Sequence, residues 1–146
     1  MKAIVTRVSS ASVTIEKEIK GEIKTGFLVL LGVAPEDNEE ICHNLADKIC
    51  NLRVFSDENG KMNQNLEQVG GEILVISQFT LFADTSSRRP GFTGAAKPEL
   101  AIPLYEGFIK RCKDNGFSVK SGTFGADMDV SSVNQGPVTI CYDTSK

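Results

Sequence analysis

Apolar and polar residues alternate with period two over KAIVTRVS (2–9) and again over ASVTIE (11–16). That spacing predicts two strands with one buried face each. KGEIKTG follows, and its glycines, Gly21 and Gly26, read as turn residues. GFLVLLGV (26–33) is apolar throughout, which predicts a strand buried on both faces. The period then changes. Ile41, Leu45, Ile49 and Leu52 recur every three or four residues in EDNEEICHNLADKICNL (36–52), so this segment predicts an amphipathic helix. Asp37 followed by Glu40 reads as its capping box.

RVFSDENGKMN predicts a short strand, a tight turn and a return. EILVISQF (72–79) is a second apolar strand. Residues 83–98, ADTSSRRPGFTGAAKP, hold no period and are dense in Pro, Gly, Ser and Thr, which predicts a long surface loop. ELAIPLYEGFIKRCKDNG (99–116) is a second helix, with Leu104, Phe108, Ile109 and Cys112 on one face. Pro103 is expected in its first turn, and Asn115-Gly116 supplies the stop. FSVKSGTFGADMDV and VNQGPVTICYD read as short strands broken by glycine. The layout predicts one α+β domain over 1–146, mainly antiparallel, with sheets forming a sandwich or partly open barrel and two main helices outside.

Composition narrows the function. The 146 residues are 40% hydrophobic and 24% charged, which is ordinary globular composition. A net charge of −3 offers no global attraction for nucleic acid, so a phosphate contact needs a local basic patch. The start, MKAIVTRVSS, lacks the apolar core of a signal peptide, and FLVLLGVA (27–34) is too short to span a bilayer. A soluble, cytoplasmic protein without a membrane partner is expected. Cys42, Cys50, Cys112 and Cys141 match no zinc spacing and are expected as free thiols packed like small hydrophobes.

The usual catalytic signatures are missing. The one histidine, His43, lies inside the first helix next to Cys42, and adjacent helix residues do not face each other. No GxSxG elbow, P-loop or HExxH occurs. Asp127 and Asp129 share a face if the segment is a strand, and a solvated edge is the better reading than a metal site. Two stretches remain. SQFTLFAD (77–84) ends an apolar strand in amide and hydroxyl groups and opens into the long loop, where sites are commonly built. VNQGPVTI (133–140) places Gly136 and Pro137 inside a β-branched run, although proline cannot donate a ladder hydrogen bond and glycine weakens a strand. A bulge or a cis bend would account for both.

Together these two motifs resemble the D-aminoacyl-tRNA deacylase family. RVSSASVTIE, GFLVLLGV, KICNLRVFSDENGKMN, GGEILVISQFTLFAD, RRPGFT, FGADM and VNQGPVTI extend the likeness almost end to end. The chain departs at Phe82, where the family usually has tyrosine, and its loop around SSRRPGF is slightly shorter. The resemblance implies hydrolysis of the ester bond of D-aminoacyl-tRNA, and of mischarged glycyl-tRNA, as proofreading of translation. It implies a homodimer in which a cis Gly136–Pro137 segment enters the partner's site and rejects L side chains by sterics. It assigns Ser77, Phe79 and Thr80 to the catalytic site, with backbone amides near Phe79 and Thr80 for an oxyanion. It assigns Gln78, Phe124 and Met128 to substrate binding beside Gly136 and Pro137, and Arg7 to bracing the Gly-Pro segment. Aminoacyl-tRNA is the implied partner, through its 3′ acceptor end, with no metal and no cofactor.

The basic cluster Arg88, Arg89 and Lys97 has two readings, a contact to RNA phosphates or a solvated loop. Two other classes stay open for the chain itself. One is a non-catalytic RNA- or DNA-binding module, opposed by the acidic net charge and the lack of an aromatic stacking platform. The other is a conventional esterase using Cys141 or Ser77, opposed by the poorly placed histidine.

Overall fold

The computed structural model describes residues 1–146. The alternating N-terminus forms one strand rather than two: β1 runs unbroken over Lys2–Ile15. Its first half pairs antiparallel with β3 (Gly26–Gly32) and its second half with β2 (Glu18–Ile23). One long strand therefore serves two neighbours. The turn between β1 and β2 lies at Glu16 and Lys17, both in the left-handed region at φ 50° and 67°. Two-residue hairpins prefer that conformation because its twist matches the strands. Gly21 is thus not a turn residue but lies inside β2.

Two further strands join in parallel: β6 (Glu72–Ser77) beside β3, and β7 (Val119–Ser121) beside β6. Helices carry the chain back between them, which is what parallel neighbours require. α1 (Glu39–Cys50) and a small hairpin of β4 (Phe55–Ser56) and β5 (Met62–Gln64) precede β6. α2 (Pro98–Asp114) precedes β7. The last strand, β8 (Asp129–Asp143), is a single long element antiparallel to β1 along its other edge. The sheet is therefore mixed, antiparallel around β1 and parallel around β6. It curls until β2 meets β7: a Cβ on Gly21 would stand 3.2 Å from Lys120 Cβ. The result is a nearly closed barrel with two helices outside.

Curling creates two cores. Val8, Ala11, Val13, Ile23, Leu28, Leu74 and Ile76 fill the barrel. Phe27, Val29, Leu31, Ile73 and Val75 face outward and meet Leu45, Ile49, Leu104 and Phe108 of the helices. β3 and β6 are apolar throughout because both of their faces are covered.

The helix ends differ from expectation in two places. Asn38 caps α1, its Oδ1 accepting from Ile41 N at 2.9 Å. Asp37 is unavailable for that role, since its carboxylate accepts from Ala34 N at 2.7 Å and pairs with the Met1 amino group at 2.8 Å. In α2, Pro98 takes the first helical position, where a missing N–H costs nothing. Pro103 lies beyond the first turn. Asn115 caps the C-terminus, and Gly116 follows at φ 100°. Arg111 ties the helices together by donating to both oxygens of Asp47, at 2.9 and 2.8 Å. Cys42, Cys50 and Cys112 are buried, but Cys141 is exposed on β8, so the expectation of packed thiols fails there. No helix is long and apolar enough to cross a membrane.

Candidate functional site

The parallel strand β6 delivers the first motif. Its last residue, Ser77, pairs with Leu31 of β3, and Gln78 N donates to Leu31 O at 2.8 Å. The chain then tightens into a single 3₁₀ turn over Phe79–Phe82. Gly32 permits this: a Cβ there would stand 3.1 Å from both Gln78 O and Phe82 Cε2. The first hydrogen bond of the turn runs from Leu81 N to Gln78 O, so the amides of Phe79 and Thr80 precede it and have no acceptor inside the turn. The Gln78 side chain donates to Thr80 Oγ1. Phe79 is 54% exposed, a large apolar side chain left at the surface.

Opposite this turn lies the segment between β7 and β8. Together they enclose a pocket of about 250 Å³ lined by Ser77, Gln78, Phe79, Phe124, Asp127 and Met128, with Ile76 and Val130 completing the wall. Gly122 lets Met128 sit there, because a Cβ would collide with the Met128 sulfur. Tyr105 sets Phe124, their rings meeting edge to face with centroids 5.9 Å apart. Tyr105 is itself fixed by donating its hydroxyl to Val75 O at 3.2 Å. Burial pushes that hydroxyl's pKa up. No cysteine or histidine lines the pocket, and its one ionisable side chain is Asp127. His43 is elsewhere, on α1 beside Glu39 at 3.6 Å.

The second motif answers why two strand breakers sit in β8. Thr6 faces Thr139 and Val8 faces Asn134, so Gln135, Gly136, Pro137 and Val138 stand opposite Arg7 alone. This is an enlarged bulge, where proline interrupts no ladder bond. The Gly136–Pro137 peptide is cis, and Gly136 has φ 123°. Asn134 closes the bulge: its Oδ1 accepts from Val138 N at 3.0 Å and its Nδ2 donates to Thr139 Oγ1 at 3.1 Å. Arg7, 9% exposed, donates to Gln135 O at 3.0 Å and to Val54 O at 2.6 Å. Its remaining nitrogen faces Gly136 so closely that a Cβ there would collide with it.

The structure thus brings Ser77, Gln78, Phe79, Phe124 and Met128 together in one pocket. Thr80 stands one residue away at the surface, bound to Gln78. Gly136, Pro137 and Arg7 are not part of the pocket in the same chain. The first nine residues of β8, Asp129 to Pro137, are all exposed. Sequence reasoning missed Asn134, Gly122 and Tyr105. Asn134 had a local signal, since asparagine favours turns through side-chain bonds to nearby amides. Gly122 and Tyr105 act through partners distant in sequence and had none.

Comparison with known proteins adds an independent finding. The model of the D-Tyr-tRNA(Tyr) deacylase family matches residues 4–143. A D-aminoacyl-tRNA deacylase of Shewanella sp. (strain W3-18-1) is 57% identical over 141 residues, covering 96% of this chain and 97% of the relative. A D-aminoacyl-tRNA deacylase of Bacillus pumilus (strain SAFR-032) is 54% identical and covers 100% of both chains. Among solved structures, the c-Myc DNA unwinding element binding protein superposes with a TM-score of 0.92 at 39% identity, covering 98% of each chain. A probable eukaryotic D-amino acid tRNA deacylase shares the fold, with a TM-score of 0.83 at 15% identity over 97% of each chain.

Proposed function

The chain belongs to the D-Tyr-tRNA(Tyr) deacylase family, and from that membership we infer that it hydrolyses the ester joining a D-amino acid to the 3′-terminal ribose of tRNA. The observation that carries the site assignment is the pocket at the end of β6, built from Ser77, Gln78 and Phe79 on one side and Phe124 and Met128 on the other. It receives the aminoacyl group and the terminal adenosine. Amides of Phe79 and Thr80 stabilise the oxyanion formed when water attacks the carbonyl. An aminoacyl ester is already activated, so positioning and oxyanion stabilisation suffice. The lack of a histidine or cysteine in the lining supports this over a nucleophile–base pair. The vicinal ribose hydroxyl transfers the proton.

Selectivity belongs to the Gly136–Pro137 bulge of a second subunit. Its carbonyls hold the substrate's α-amino group, and an L side chain meets the bulge while a D side chain points away. Glycine carries no side chain to reject, which makes glycyl-tRNA a second substrate. Two facts support a contribution across a homodimer. The bulge is fully exposed, and it lies outside its own chain's pocket. Arg7 positions it through Gln135 O. An isologous pair is the simplest way to complete two such sites, and light scattering is expected to give about twice the 15.8 kDa chain mass.

The name of the 39%-identical solved structure favours a second reading, a nucleic-acid-binding module without catalysis. Incubation with D-tyrosyl-tRNA, L-tyrosyl-tRNA and a simple aryl ester separates the readings. A deacylase releases tRNA from the D substrate alone. A conventional esterase cleaves the aryl ester as well, and a binding module cleaves nothing.

A further inference from the structure

The long loop that leaves the pocket is more ordered than its composition suggests. Asp84 and Gly91 pair as an antiparallel bridge, with Asp84 N donating to Gly91 O at 2.7 Å and Gly91 N to Asp84 O at 2.9 Å. Inside that closure, Ser86 N donates to Asp84 Oδ1 at 2.9 Å and Ser87 Oγ to Arg89 O at 2.9 Å. These bonds hold the Asp84 carboxyl below its usual range. Immediately after the closure, Phe92 packs edge to face on Phe79, ring centroids 5.1 Å apart. Phe79 is a wall of the pocket. A small hairpin is therefore clamped to the pocket mouth.

Arg88 and Arg89 are exposed at its turn. Neither takes part in any of the five ion pairs of the chain, and neither guanidinium makes a hydrogen bond within it. The nearest carboxylate along the chain, Asp84, is engaged by Ser86 instead. Lys97 adds a third exposed cation at the N-cap of α2, where the helix field disfavours positive charge. Helix stability therefore does not explain it. In a chain of net charge −3, this is a local concentration of unpaired positive charge beside the reaction pocket. Arg89 lies three residues from Phe92, a span of at most about 11 Å of extended chain.

We propose that Arg88 and Arg89 bind the backbone phosphates of the RNA strand that leads into the pocket, just before its terminal nucleotide. This rests on the deacylase reading above. Arginine suits the task because its planar fork matches phosphate oxygens. The contact is to backbone, so it holds the strand without reading sequence.

The test compares two substrates. D-tyrosyl-tRNA presents the phosphates, and 3′-O-(D-tyrosyl)adenosine lacks them. In the Arg88→Ala/Arg89→Ala variant, KM for the tRNA substrate is expected to rise about tenfold with kcat nearly unchanged. The salt dependence of kcat/KM should become shallower by about 1.4 in the log–log slope, about 0.7 per phosphate released on a single strand. Hydrolysis of the adenosine ester should not change. Arg88→Lys/Arg89→Lys should recover most of the loss, since the charge is restored. Unchanged KM and salt slope on tRNA would overturn the proposal. So would equal impairment on both substrates, which would mean that the hairpin merely supports Phe79. Wild-type protein that cleaves neither substrate overturns the deacylase reading itself, and this inference with it.

Discussion

Gly136 occupies space that no other residue can share with Arg7. Replacing it by alanine brings two separate costs. At φ 123° an L side chain is strained, by an amount comparable to the left-handed penalty of about 1–2 kcal/mol. The new Cβ also collides with the Arg7 guanidinium and stands 3.0 Å from Val138 Cγ2. Arg7 cannot withdraw freely, because it holds Gln135 O at 3.0 Å and Val54 O at 2.6 Å. Losing one such charged hydrogen bond costs about 1.5–3 kcal/mol. The bulge is exposed and relaxes outward in part, so Gly136→Ala should destabilise the chain by about 2–4 kcal/mol. At about 2–4 °C per kcal/mol, Tm falls by roughly 4–16 °C. Urea denaturation of a double-mutant cycle isolates the collision. In an Arg7→Ala background the space is free, and Gly136→Ala should cost only the backbone term of about 1–2 kcal/mol. A coupling of about 1–2 kcal/mol is expected. Additivity within about 0.5 kcal/mol would refute the claim that these two residues compete for one space.

Other consequences follow from single contacts. Asn134→Ala removes the acceptor for Val138 N and should cost about 1 kcal/mol while reducing discrimination between D- and L-tyrosyl-tRNA, read from the ratio of kcat/KM values. Hydrogen bonds from Arg111 and then Asn115 hold the Asp47 carboxyl down to about 2. A depressed carboxyl stabilises the fold above its unfolded value and loses that contribution as pH falls through the folded one. The advantage of wild type over Asp47→Asn, less than about 1 kcal/mol for so exposed a pair, should therefore hold at neutral pH and vanish between about pH 4 and pH 2 in urea titrations. Burial, with Asp37 nearby, pushes the Cys42 thiol up to about 11, and Cys50 and Cys112 are also buried. Ellman's reagent should label Cys141 first, and the other three only on unfolding.

The strands and helices that pack by a simple period were legible. β3 and β6 announced burial on both faces, and the 3.6-residue spacing of Ile41, Leu45 and Ile49 marked α1. β2 was hidden because its glycine looked like a turn, whereas Gly21 serves the close approach to β7, a contact between residues nearly a hundred apart. The cap of α1 was misplaced by one residue because Asp37 and Asn38 are both good capping types. Only the fold reveals that Asp37 is committed to Met1 and Ala34. Ser77, Gln78, Phe79, Phe124 and Met128 were named from motifs, and the structure gathers them around one pocket. Periodicity alone could not have joined them, since β6 and the segment before β8 are about fifty residues apart. The same holds for Arg7, a polar residue of an alternating strand until Gln135 and Val54 surround it.

The central claim is that this pocket positions water and substrate without a side-chain nucleophile. The measurement closest to it is the single-turnover rate on D-tyrosyl-tRNA ending in 2′-deoxyadenosine, set against the ordinary substrate. Proton transfer by the vicinal hydroxyl predicts a loss of about 10²–10⁴-fold, exceeding that of Ser77→Ala or Thr80→Ala. His43→Ala and Cys141→Ala should keep most activity. A deoxy substrate cleaved at the normal rate, with an acyl adduct on Ser77 or Cys141 visible by mass spectrometry, would contradict the account.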